Sequence, residues 1–258
     1  MHHARAMPGL RLLNEVPTAD CSTCPHRDTT LRAGRCVPGD ICLIAHSGRQ
    51  IDRFLRHNPE YAEACLGDAF WERRAIAVRY APITAIRGLA KDADEAVRRA
   101  VATRLPPDEL VTLLRDPDRE VRVTVAARMR PEQLFLLMGD PDYMVRLQVA
   151  HRLPHGSLPR MAHDPEREVR KEVARRLPPF VLARMAADAD AEVRRIIAGR
   201  MLPGDAAGML ADEDWLVRLE AARLAPLASL PALADDVEPE VRAVVRQRLD
   251  GNTQNEDL

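Results

Sequence analysis

Along most of this chain the apolar positions repeat on two scales at once. In Asp116-Pro117-Asp118-Arg119-Glu120-Val121-Arg122, Val121 opens a stripe continued by Val125 and Met129, at i, i+4 and i+8. That is the buried face of an amphipathic helix. The pair Val-Arg then recurs at Val97, Val121, Val145, Val169, Val193, Val217 and Val241, each step being 24 residues without an insertion. Five positions before each valine stands Asp92, Asp116, Asp140, Asp164, Asp188, Asp212 or Asp236. Five positions after it stands Ala102, Ala126, Ala150, Ala174, Ala198 or Ala222, with Arg246 breaking the column. A fixed period of this length is the signature of a solenoid, in which each unit buries its apolar face against its neighbours.

The pattern predicts two helices per unit. Asp116 reads as an N-cap, Pro117 as the first helical residue, and Asp118 and Glu120 as negative charge at the positive end of the helix dipole. The helix is expected to run for about twelve residues, or three turns. Ala126, small and beside the stripe, lets neighbouring helices approach closely. After Leu105-Pro106-Pro107, Asp108–Arg115 leaves room for a second helix of about eight residues, which suits a 3₁₀ turn. No alternating β-branched pattern occurs, and the unit is too short for HEAT or armadillo repeats of ~40 residues. A degenerate unit at Asp68 keeps the aspartate, Val78 and Pro82 but lacks Val-Arg. The expected fold class is therefore all-α. Its divisions are an aperiodic domain at 1–66, an array of one degenerate and seven regular units at 67–250, and a polar, frayed tail at 251–258.

Charge and composition narrow the function classes. Thirty-eight basic against 39 acidic side chains leave a formal charge of −1, which argues against a bulk nucleic-acid or membrane-surface binder. Runs such as Leu134–Met138 are too short to span a bilayer, and the N-terminus lacks the apolar core of a secretory signal, so a cytoplasmic protein is expected. Aromatics are only 3%, which leaves Ala, Leu, Val and Met to build the core. Lysine occurs only as Lys91 and Lys171; genome base composition and the planar fork of arginine are both explanations for the bias. The Arg and Asp columns could grip phosphates, but a repeating Asp–Arg ladder between stacked units accounts for them better.

Residues 1–66 hold all five cysteines, four of them spaced C-x2-C-x11-C-x5-C as Cys21, Cys24, Cys36 and Cys42. Gly34, Pro38 and Gly39 lie between them and allow tight turns. In a cytosolic chain this cluster points to a metal centre rather than to disulfides. Zinc usually takes two C-x2-C knuckles and only the first pair is one; Cys24-Pro25 also fits ferredoxin-type runs. Spacing alone leaves zinc and iron–sulfur open. Cys65 falls in the column of Leu89, Leu113, Leu137, Met161, Met185, Met209 and Leu233, and reads as core packing. His26 and His46 flank the cluster and read as neighbours of the site rather than ligands.

A 24-residue D-P-D-x-x-V-R-x-x-V-A-x-R-L-P repeat, led by a short four-cysteine segment, resembles the leucine-rich repeat variant family over about residues 20 to 250. The resemblance implies alternating α- and 3₁₀-helices in a right-handed superhelix. It also implies a [4Fe–4S] cluster on Cys21, Cys24, Cys36 and Cys42, with zinc as the alternative. The departures are the missing Val-Arg in the unit at 68 and the shifted Arg223 in the sixth regular unit. No reaction is implied.

No phosphate loop, nucleophile elbow or H-E-x-x-H motif is present, so no catalytic residue is assigned and a non-enzymatic protein is expected. His151, His155 and His163 follow no ligand spacing and read as surface residues. Two units carry an aromatic two positions before the anchor valine, Tyr143 and Trp215, followed by Met144 and Leu216, with Leu147 and Leu219 four residues on from the aromatics. These six residues either fill gaps between units or form an exposed patch for a protein partner. The function expected is a monomeric helical scaffold that binds a protein and carries the cluster in a redox or structural role. An electron-transfer or redox-sensing protein is the alternative, and a zinc-capped or nucleic-acid-binding repeat is a weaker one.

Overall fold

A computed structural model describes residues 19–253. Residues 1–18, read above as lacking a secretory segment, and residues 254–258 of the expected tail lie outside the described residues. The chain forms two compact units, one up to Thr124 and one from Val125 onward. Among the described residues there is no β-strand, only an isolated antiparallel bridge between Val37 and Ile41. No helix among them is long and apolar enough to cross a membrane.

The first unit opens with one turn of π-helix, Arg27–Leu31, then α1 (Gly48–His57), α2 (Trp71–Tyr80), the single turn α3 (Ile83–Ile86) and α4 (Glu95–Arg104). Helix α5 (Arg119–Arg128) follows. The second unit holds α6 (Tyr143–Arg152), α7 (Arg167–Arg176), α8 (Ala191–Ala198), the short α9 (Pro203–Ala206), α10 (Trp215–Leu224) and α11 (Pro239–Thr253). Between them lie the expected 3₁₀ helices, at Pro107–Leu113, Pro131–Leu137, Leu158–Met161, Pro179–Met185 and Leu227–Leu233, with a shorter one at Ala207–Met209. Helix α11 runs to Thr253, past the expected boundary of the tail.

The core follows the columns. Every anchor valine from Val97 to Val241 is fully buried, as is every small residue from Ala102 to Ala222. Leu110, Leu134, Leu158 and Leu182 bury the 3₁₀ side of each unit.

The helix start differs from the expectation. Asp116 is not the N-cap and Pro117 is not the first helical residue. The cap is the acid two positions on: Asp94 accepts from the Ala96 N–H at 2.9 Å, Asp142 from Met144 at 2.8 Å, and Asp214 from Leu216 at 2.9 Å. Five of the regular helices are ten residues long as a result, α8 being eight and the last, α11, fifteen. The physical reason is that the first aspartate is already occupied. The Asp116 carboxylate accepts the Asp118 N–H at 2.9 Å in an Asx turn, and it accepts Arg98 Nε at 2.7 Å and Nη2 at 2.9 Å.

That contact is one rung of the expected ladder. Arg74–Asp92 and Arg98–Asp116 in the first unit, and Arg146–Asp164, Arg170–Asp188, Arg194–Asp212 and Arg218–Asp236 in the second, make the same bidentate bond from one repeat to the next. The remaining Nη1 of each arginine donates backward to the turn preceding its own helix. Arg98 Nη1 reaches the carbonyls of Asp92 and Ala93 at 2.9 and 3.1 Å, and Arg146 Nη1 those of Asp140 and Pro141 at 2.8 and 3.2 Å. A second arginine column closes the other end of the helices. Arg104 caps Val78 and Ala81 carbonyls, Arg152 caps Ala126, and Arg248 caps Ala222. Leu224 interrupts this column, and the shifted Arg223 pairs with Glu220 at 2.9 Å instead.

The rungs are nearly dry: the Arg146 and Asp164 side chains are 10% and 4% exposed. Removing one partner strands a buried charge, so Arg146→Met is expected to cost about 3–5 kcal/mol in urea denaturation, and adding Asp164→Leu to recover much of it. A loss of under ~1 kcal/mol, the scale of a surface pair, would show the ladder to be incidental. The pH dependence has a definite sign. The Arg74 guanidinium holds the Asp92 carboxyl below the usual carboxylate range, and Arg218 does the same for Asp236. A depressed folded pKa contributes stability that is present above the unfolded value of about 3.9 and is lost as pH falls through the folded value. Thermal melts are expected to be flat from neutrality to about pH 5 and to drop below about pH 4; a decline already complete at pH 5 would contradict this.

Candidate metal centre

The four clustered cysteines lie on three limbs of chain. The first is turned by Asp20, whose carboxylate accepts the Ser22 N–H at 2.8 Å and the Ser22 hydroxyl at 2.6 Å, bending the chain between Cys21 and Cys24. The same bonds hold the Asp20 carboxyl below its ordinary pKa. The Cys24 carbonyl accepts the Arg27 N–H at 3.1 Å and leads into the π-helical turn. Gly34, at φ +68°, ends that turn in a left-handed conformation that an L side chain enters only with strain, and Cys36 follows. The second and third limbs face each other across a tight loop. Val37 and Ile41 exchange backbone bonds at 2.9 and 2.8 Å, Gly39 at φ +81° makes the reversal, and Cys42 returns beside Cys36. Helix α1 holds this loop from behind: the Cys42 N–H donates to the Gln50 carbonyl at 3.3 Å, and Arg53 and Arg49 pair with Asp40.

Cys36 and Cys42 are buried, whereas Cys21 and Cys24 are partly exposed, and all four are free thiols. Burial, and then the charges of Cys42, Cys24 and Cys21, push the Cys36 thiol up to about 11. Four thiolates in this space repel one another unless a cationic core neutralises them, so the donor set fits a thiolate-ligated metal centre. Among the described residues no three His, Cys, Asp or Glu side chains gather about a single ion. Cys65 is buried in its core column, and burial pushes its thiol up. His26 rests against Tyr61 and Phe54, with ring centroids 5.2 and 5.9 Å away, and burial lowers its pKa; His46 rests against Phe70 at 5.0 Å.

Two further residues of this region escaped the sequence reading. Asn58 is fully buried and donates from Nδ2 to the Arg35 and Phe54 carbonyls, at 3.1 and 3.0 Å. Arg73 donates to the carbonyls of Leu43 and Ile44, just after Cys42. The second had a visible signal: it stands in the valine column, one position before Arg74, which carries the ladder. The unit at 68 has therefore lost only the valine of its Val-Arg pair.

The apolar residues proposed as a partner patch do not behave alike. Tyr143 and Met144 are 42% and 36% exposed, and Leu147 is half-buried. Trp215 and Leu216 are half-buried and Leu219 is buried, so the second set does not form an exposed patch. Helix α10 packs on α8 and on α11. Trp71 occupies the same column as Tyr143 and Trp215 and is 43% exposed. His151, His155 and His163 are exposed, and His151 Nδ1 lies 2.9 Å from Glu172.

Comparison with known proteins agrees with both parts of the chain. Residues 17–64 match the family model described as LRV protein FeS4 cluster. Residues 95–118, 143–166 and 167–190 match the leucine rich repeat variant model. Zinc gains no support. A curated relative, an uncharacterized 27.7 kDa protein in the nifB 3′ region of Rhodobacter capsulatus, is 40% identical over 87 residues. That match spans 34% of this chain and 35% of the relative, about a third of its length. A solved structure described as a leucine-rich repeat variant with a novel repetitive structural motif is 51% identical, with a TM-score of 0.86 over 90% of this chain and 100% of its own. With half of its residues shared across the full length of that protein, this chain belongs to the leucine-rich repeat variant family.

Proposed function

We propose that this protein is a non-enzymatic repeat scaffold that docks a protein partner and carries a [4Fe–4S] cluster on Cys21, Cys24, Cys36 and Cys42. The observation that carries this reading is the split thiol set: two cysteines buried against α1 and two at the surface, on a segment matched by an iron–sulfur family model. When bound, such a cluster supplies one-electron redox chemistry or a structural cross-link. Cys36 and Cys42 fix its place on the fold, and the exposure of Cys21 and Cys24 leaves that edge open to electron exchange or oxidation. The same exposure supports the second reading, an electron-transfer or redox-sensing protein. Five free cysteines suit a reducing, cytoplasmic compartment. Nucleic acid is not an expected partner, because the column arginines spend their donors on carboxylates and carbonyls. For the partner, Tyr143 and Met144 are the better anchor, since Leu219 is buried and Trp215 and Leu216 are half-buried.

Anaerobically purified protein is expected to be brown, with about four irons and four acid-labile sulfides per chain, as the cubane requires. Reversible bleaching with dithionite would favour the redox role, and iron that does not cycle the structural one. One zinc and no colour would overturn the assignment. On the repeat array, Tyr143→Ser is expected to leave thermal stability within about 0.5 kcal/mol, as surface changes do, while Trp215→Ser costs distinctly more. Equal and large losses would place Tyr143 in the packing as well.

A further inference from the structure

The first helix of the array breaks the repeat rule at one position, and the break faces the cysteine segment. In the seven regular units the residue before the ladder arginine is a fully buried valine, Val97 being the first. In α2 that position is Arg73, whose side chain is only 10% exposed. The guanidinium does not duplicate the ladder, because Arg74 already makes the rung to Asp92. Arg73 turns the other way. Nε donates to the Leu43 carbonyl at 2.9 Å and Nη2 to the Ile44 carbonyl at 3.3 Å, while Nη1 pairs with Asp68 at 2.6 Å. Its face lies 5.7 Å over the Phe70 ring, which also meets His46. Leu43 and Ile44 immediately follow Cys42, so a buried, three-way clamp holds the chain one residue beyond a proposed ligand. The Cys36 limb has a counterpart in Asn58, which ties the Arg35 carbonyl to α1. The Cys21–Cys24 limb, by contrast, is turned by its own Asp20.

We infer that Arg73 is a positioning residue for the metal centre, exchanged for the valine of the repeat so that the first unit of the array holds the Cys42 limb in place. This rests on the reading that the four cysteines carry the cluster. The clamp uses what a guanidinium offers and an ammonium does not, a planar fork with separate donors for two adjacent carbonyls and a carboxylate. It follows that the centre is anchored on its Cys36 and Cys42 side, and that Cys21 and Cys24 form the side at which it opens first.

The test is to write the repeat's own residue into the position, Arg73→Val, with Arg73→Lys as the conservative variant. In the valine variant the thermal melt is expected to fall only by what the stranded Asp68 carboxylate costs, and Asp68→Asn in the same background to return it to the Asp68→Asn value, since seven units already carry valine there. Release of iron to a ferrous chelator is expected to be about 10–100-fold faster, the usual effect of losing a group that orients a metal ligand. In protein stripped of iron, Cys42 is expected to be alkylated faster than in wild type, read by mass spectrometry with buried Cys65 as internal reference. The lysine variant is expected to fall between. Wild-type release and alkylation rates in Arg73→Val would overturn the inference, and so would a lowered array melt that alone accounted for faster release. Wild-type protein that never takes up iron would instead overturn the cluster reading. The alkylation rates in that protein would still show whether Arg73 clamps the Cys42 limb.

Discussion

The guanidinium that joins two aspartates is the constraint on which the repeat depends. Each ladder arginine reaches six residues back to the carbonyl of one aspartate and eighteen residues on to the carboxylate of the next. Those two reaches together make one period, so the length of the unit is written into the bonding of a single side chain. An inserted residue between consecutive aspartates would pull a buried carboxylate away from a buried cation, at the cost of leaving both uncompensated. This gives a physical reason why seven successive units keep their length without an insertion. It also gives a reason why lysine is missing from the two arginine columns. Both arginine columns bind several oxygens in fixed directions, which a single ammonium cannot reproduce, and neither Lys91 nor Lys171 stands in either column.

Much of this was legible in the sequence, because a column repeated seven times averages out local ambiguity. The buried valines, the small alanines, the 3₁₀ segments and the existence of a ladder all follow from position within the unit. What was misread lies where one residue has two competing uses. Asp116 looks like an N-cap, and in isolation it would be one. Its carboxylate is taken by Arg98 from the neighbouring repeat, so the capping passes to Asp118 and the helix shortens at its start. For Leu219 the sequence left two readings open, gap-filling and an exposed patch, for a related reason. An i+4 spacing from Trp215 puts the two on one side of a helix, but it does not say whether a neighbouring helix covers the far end of that side.

The cysteine segment was legible in its chemistry and hardly at all in its architecture. Four thiols at that spacing announce a metal centre, yet nothing local says which of them are buried. That is decided by elements distant in sequence: α1, which receives the Cys42 N–H, and α2, which supplies Arg73. A unit that departs from its repeat is easily dismissed as a degenerate end. Here the departure is a replacement with a definite partner, since the residue lost to the array's core is the one gained by the chain beside Cys42.

A solenoid's first repeat has no preceding unit to cover it, and terminal units ordinarily solve this with a polar outer face. This protein covers its first helix with the cysteine segment, held by hydrogen bonds to main-chain carbonyls and by the packing of α1 on α2. Carbonyl contacts do not depend on which side chains the segment carries, so such a cap imposes little on the chemistry mounted upon it. The segment keeps a small apolar core in Ile51, Phe54 and Leu55. The array thus supplies the rigidity that a short cysteine-rich segment lacks. The two parts are therefore expected to depend on each other unequally: the array can fold on its ladder without the centre, but the centre keeps its buried half in place only while the first repeat holds it.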